Sequence, residues 1–127
     1  MNQHPVPPRP QLERLGAMVE TFKALSDVTR AQIVLMLADG EQSVGELTQR
    51  LEQPQSTVSR HLAVLRAARL VQTRRSATKV YYRLNNQHVA VFVQQAYSHS
   101  EHELLGLPDH AVPQPLLEAV VTRSRTP

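Results

Sequence analysis

The chain has no cysteine, which excludes disulfides and thiolate metal ligands. Aromatic residues make up 4% of its 127 residues, so aliphatic side chains must fill the core. No apolar run approaches the roughly 20 residues needed to cross a bilayer, and the N-terminus lacks a signal-peptide core, which points to a cytoplasmic protein without a membrane partner. One segment lacks acid altogether. Residues 53–100 carry seven Lys/Arg and no Asp or Glu, against five and seven in residues 1–52 and two and four in residues 101–127. The net charge of +3 hides this asymmetry. A solvated cationic face is normally interleaved with Glu, so 48 residues without a carboxylate point to a polyanionic partner. The same absence, with no HExxH pattern, argues against an enzyme such as a metal-dependent hydrolase.

The length fits one domain. Residues 1–10 hold four of the nine prolines and read as a flexible or polyproline arm. Residues 11–107 carry the periodic pattern, and 108–127 form a Pro-containing tail. Leu12, Leu15, Val19, Phe22 and Leu25 step at helical spacing through 11–25. Ser26 or Asp27 can cap a second helix to about Ala38, with Val28, Ile33, Val34 and Leu37 expected to face inward. Asp39-Gly40 stops it. Ser43 with Glu46 is a capping-box signal for a short helix to about Leu51, and Gln53-Pro54 is a turn before a helix over 55–68. From Leu70 to Leu84 the period changes to two. Val71 and Thr73, then Val80, Tyr82 and Leu84, alternate around the basic stretch Arg74-Arg75-Ser76-Ala77-Thr78-Lys79, which predicts a β-hairpin. Without an Asn-Gly pair, a loop longer than two residues is expected. Asn86 is placed to cap a last helix over about 87–105, ended by Gly106-Leu107-Pro108.

The helix over 55–68 has two faces. Val58, Leu62 and Leu65 make an apolar stripe. Gln55, Ser56, Thr57, Ser59 and Arg60 lie near its N-terminal half. Small hydrogen-bonding side chains beside one long cation suit close approach to base edges in a major groove, although an ordinary polar solvent face has a similar composition. The preceding short helix and turn make a helix-turn-helix. A hairpin directly after it makes a wing, and cations at its tip, Arg74, Arg75 and Lys79, suit phosphate or minor-groove contacts.

The string Ala24-Leu25-Ser26-Asp27-Val28-Thr29-Arg30, with Ser56-Thr57-Val58-Ser59-Arg60-His61-Leu62, Leu65-Arg66-Ala67-Ala68-Arg69-Leu70-Val71 and Tyr81-Tyr82-Arg83-Leu84, resembles the ArsR/SmtB family of metalloregulatory repressors over residues 11–107. The resemblance implies a mainly α winged helix-turn-helix with a small β-hairpin. It implies a homodimer through the first and last helices, bound to a palindromic double-stranded operator and released from it by an inducer.

His88, His99 and His102 fall on one face of the last helix, His99 about 20° to one side of His88 and His102 about 40° to the other at 100° per residue. His88 and His99 are separated by roughly 16 Å along the axis, so one helix cannot bring them to one ion. Two antiparallel copies crossing near Gln95 can, with His88 of one copy meeting His99 and His102 of the other at two symmetric sites. The pattern Asn86-Gln87-His88 followed by His99-Ser100-Glu101-His102 is similar to the family's interhelical metal site, with Asn86 where the family carries Asp. Asn86, His4 and His110, or water, Glu101 or Glu103, are candidates to complete the shell. The stretch Tyr97-Ser98-His99-Ser100-Glu101-His102, with Leu105-Gly106-Leu107 after it, is similar to the family's nickel/cobalt sensors, and imidazole-rich sites with more than four ligands suit nickel or cobalt, so nickel is favoured over zinc and cobalt. The helix over 44–51 has no thiols, so the family's Cys-based sensing is excluded. His61 reads as a packing or phosphate residue. The alternative is a metal-independent winged-helix regulator with a degenerate metal site.

Overall fold

The computed structural model describes residues 9–106, and the elements run α1 (Arg9–Leu25), α2 (Val28–Ala38), β1 (Gln42–Ser43), α3 (Val44–Leu51), α4 (Gln55–Ala67), β2 (Val71–Ser76), β3 (Lys79–Leu84) and α5 (Gln87–Leu105). Local capping chemistry sets most boundaries. The Asp27 carboxylate accepts from the Arg30 N–H at 3.1 Å and opens α2. Ser43 and Glu46 form the reciprocal capping box of α3. Asn86 Oδ1 accepts from the Val89 N–H at 3.2 Å and opens α5, which ends on Gly106 in the left-handed region.

The strands form one antiparallel sheet in the order β1-β3-β2, with Val71 opposite Leu84, Arg74 opposite Tyr81 and Ser76 opposite Lys79. Ile33, Val34 and Leu37 of α2, Leu47 of α3, Val58, Leu62 and Leu65 of α4, Val71 of β2, and Val89 and Val93 of α5 make one buried cluster. That cluster packs α4 against α2, α3 and β2. Arg30 knits the same region together: Nε donates to the Ala24 carbonyl at the end of α1 (2.6 Å), and Nη1 sits 3.3 Å from His61 Nδ1 on α4.

Four expectations are corrected. Helix α1 starts at Arg9, so Pro10 lies in its first turn, where its missing N–H costs no helical bond. The hairpin loop has two residues, Ala77 and Thr78, because Ala77 takes a left-handed φ of 54° without glycine or asparagine. A third strand, β1, joins the hairpin; two residues give no alternation to detect. Val28 is 80% exposed rather than inward, because capping by Asp27 puts it about 170° around the helix from the Ile33–Val34–Leu37 face. The rest of the Pro-rich arm with His4, and the tail with His110, lie outside the described residues.

The Asp27 cap has a pH consequence. The Arg30 backbone N–H, then the nearby His61 and Arg30 side chains, hold its carboxyl below its ordinary 3.8. A depressed carboxyl favours the fold in its ionised form. The contribution is therefore complete above pH 3.8 and is lost as the pH falls below it. Urea unfolding midpoints followed from pH 6 to pH 3 are expected to fall below about pH 4. Asp27→Asn should flatten that fall, and an equally steep fall in the variant would remove Asp27 from the account.

Candidate nucleic-acid interface and candidate metal centre

Helix α4 separates two tasks by face. Val58, Leu62 and Leu65 are fully buried, whereas Gln55, Ser56, Ser59 and Arg60 are exposed and Thr57 is half-buried on the outward side. The structure therefore brings the five sequence-derived groove-facing residues to the first half of one exposed helix face. No side-chain cap covers its start, because Pro54 occupies the N-cap. The wing tip closes on the same region: Gln55, Gly45 and Glu46 share a groove with Thr78, Lys79 and Val80. Arg75 and Lys79 are exposed at the tip.

Arg74 behaves differently. Its Nε lies 3.1 and 3.2 Å from the two carboxylate oxygens of Glu41, and Nη2 also contacts Glu41. Its guanidinium carbon lies 4.7 Å from the centre of the Tyr81 ring. The hydrogen bond to Arg74 holds the Glu41 carboxyl below its ordinary value and raises Arg74 in turn. Glu41 is absent from the sequence-derived site, since 33 residues separate it from Arg74 and no local pattern links them. His61 points inward. Nδ1 faces both Arg30 Nη1 and Asp27 Oδ2 (3.7 Å), a packing role inside the protomer.

His88 and His102 are half-buried and His99 is exposed, all on α5. Among the described residues, no three His, Asp or Glu side chains of one protomer come together. Asn86 Oδ1 is engaged with the Val89 N–H. His88 and Asn86 border a groove between α1 and the start of α5, lined also by Met18, Phe22, Val89 and Phe92. Phe22 and Phe92 meet edge-to-face at 5.2 Å and tie α1 to α5. Outward from that contact, α1 leaves Leu12, Leu15, Met18, Val19 and Phe22 between 45% and 48% exposed. On α5, Leu104 and Leu105 are 83% and 67% exposed. The three imidazoles thus share a helix with an uncovered apolar seam, and imidazole donors without thiolate or a clustered carboxylate suit a borderline divalent ion.

No helix of the described residues is long and apolar enough to cross a membrane. Residues 27–73 match the family described as "Bacterial regulatory protein, arsR family". The chain is 45% identical over 114 residues to the HTH-type transcriptional regulator KmtR of Mycobacterium tuberculosis, covering 90% of this chain and 88% of that one. It is 40% identical over 94 residues to the HTH-type transcriptional repressor SmtB of the same organism, covering 74% and 70%. Among solved structures, HlyU from Vibrio cholerae matches with a TM-score of 0.64 at 41% identity over 67% of this chain and 92% of that one. The homodimeric winged helix-turn-helix DNA-binding domain Mb0332 from Mycobacterium bovis matches with a TM-score of 0.72 at 26% identity over 85% and 100%. With α3 and α4 as the helix-turn-helix, β2–β3 as the wing and these relatives spanning most of its length, the chain belongs to the ArsR/SmtB family of winged-helix DNA-binding transcriptional regulators, a family of regulators and not of enzymes.

Proposed function

We propose that the protein is a homodimeric transcriptional repressor that a divalent metal releases from a palindromic operator, with nickel favoured over zinc or cobalt. The observation that carries this is that His88, His99 and His102 share one face of α5 with Phe92, whose ring meets Phe22 on the half-exposed apolar face of α1. An exposed apolar patch of that kind marks a partner surface. A second copy laid antiparallel along α5 covers it and brings His88 of one protomer to His99 and His102 of the other. Asn86 holds the start of α5, two residues before His88, through its cap. A neutral amide beside three imidazoles, with His4 or His110 available to complete the shell, favours nickel over a four-coordinate zinc site.

Gln55, Ser56, Thr57, Ser59 and Arg60 read the operator, and Arg75 and Lys79 hold its phosphates. Metal acts by linkage. If it stabilises a dimer geometry that spaces the two α4 helices poorly for the operator, DNA weakens metal binding by the same factor. DNA affinity measured with and without nickel tests this, using a duplex selected from a random-sequence pool by the metal-free protein. The metal-independent alternative is favoured by one observation, the engagement of Asn86 Oδ1 as a cap, and predicts no metal response.

A further inference from the structure

We propose that Glu41 and Arg74 form a pin that sets the wing, so that Arg74 is a positioning residue for DNA binding while Arg75 and Lys79 make the phosphate contacts. The inference rests on the DNA-binding reading above. The hairpin needs such a pin because β3 is paired on its outer edge only by β1, which contributes two residues, Gln42 opposite Tyr82 and Ser43 opposite Tyr81. Beyond Tyr81 the wing has no further strand on that side. Arg74 braces this short edge from the opposite strand, because Glu41 precedes Gln42 and extends the β1 edge toward the level of Arg83. It leaves β2 opposite Tyr81, its guanidinium lies over the Tyr81 ring, and it ends on both carboxylate oxygens of Glu41, one residue before β1. One side chain thus crosses all three strands. Two of its three guanidinium nitrogens are committed to Glu41, in the fork geometry that fixes orientation as well as distance.

The pleat gives the wing cations different positions. Arg74 and Lys79 alternate onto the face that carries Gln72, Tyr81 and Arg83, while Arg75 shares the face of Val71, which is buried, and of Tyr82 and Leu84, which pack against the core. Arg75 therefore lies on the sheet face turned toward the helices, and Arg74 on the opposite one. The Glu41 pair is what sets Arg74 apart from Lys79 on that face: it leaves Arg74 only Nη1 to offer a phosphate.

Charge reversal separates a pin from a contact. With the selected duplex as probe, Arg74→Glu is expected to weaken binding by at least about 10-fold, from loss of the pin and a charge reversal near phosphate. Adding Glu41→Arg to the same chain restores affinity to within about threefold, because the pair re-forms. The doubly reversed protein keeps the wild-type dependence of log affinity on log salt, whereas Arg75→Gln loses about one from that slope. No rescue, or a slope reduced by about one in the doubly reversed protein, would overturn the pin. Hydrogen exchange gives a DNA-free measurement. Amides of Val80–Arg83 exchange about 10-fold faster in Arg74→Gln and in Glu41→Gln alike and return to wild-type rates in the doubly reversed protein. Unchanged exchange in both single variants overturns the pin. If the pool yields no duplex, the DNA-binding reading fails, and the exchange rates still decide the pin.

Discussion

Leu62→Ala is expected to destabilise the protein by about 2–5 kcal/mol, the usual range when a buried leucine is cut back to the β-carbon. Leu62 is fully buried in α4 and belongs to the cluster that includes Ile33, Val34, Leu47 and Leu65. Three of the shortened side chain's neighbours lie on helices held in place by caps, so the site has little freedom to collapse around the void. A loss of that size is a large share of the roughly 5–15 kcal/mol that a domain commonly has. Urea unfolding at a fixed protein concentration measures it. Ser59→Ala, on the exposed side of the same helix, should stay within about 0.5 kcal/mol while weakening binding to the selected duplex. If Ser59→Ala cost as much stability as Leu62→Ala, the division of α4 into a core face and a reading face would fail.

The second large effect concerns the proposed cross-protomer metal site. In a homodimer, His88→Ala strips one ligand from both sites, and so does His102→Ala. Each variant is expected to lose metal affinity by about 100-fold or more, since even residues supporting a ligand cost 10–100-fold. Mixed dimers of the two variants behave differently. One site then lacks both His88 and His102, while the other keeps His88 from one protomer and His99 and His102 from its partner. The mixed dimer should therefore bind one nickel with near wild-type affinity, where wild type binds two. A nickel titration followed by d–d absorption on a differentially tagged, purified mixed dimer makes the measurement. A mixed dimer that binds nothing, or either variant homodimer that binds as well as wild type, would mean that the ligands do not pair across the two-fold.

The parts of this protein that could be read from sequence are those written in short-range chemistry. Asp27, Ser43 with Glu46, and Asn86 each cap the helix expected of them, because a cap is a contact between residues three apart. The α4 stripe and the hairpin alternation follow from helix and strand periods. What escaped depends on separation or on absent signals. Strand β1 is too short to show a period, and Ala77 turns the hairpin without the residues that usually announce a two-residue turn. Val28 looked apolar and therefore inward, yet the Asp27 cap fixes its azimuth toward solvent. Among the site residues, the outward face of α4 was legible, whereas the attachment of Arg74 to Glu41 and of Arg30 to His61 spans more than 30 residues in each case. The histidine face of α5 was legible as a face, and the proposal that a second copy completes it follows from helix length rather than from any contact within one protomer.

In the proposed mechanism, metal bound at α5 is read out at α4. Fluorescence anisotropy of the selected duplex, with and without nickel, tests it in the wild type and in His99→Ala. Nickel should weaken wild-type binding by a factor within the roughly 5–150-fold range typical of coupled sites. His99→Ala should bind the duplex as tightly as the metal-free wild type and ignore nickel. Wild-type affinity that nickel leaves unchanged, or a full nickel response retained in His99→Ala, would contradict the account.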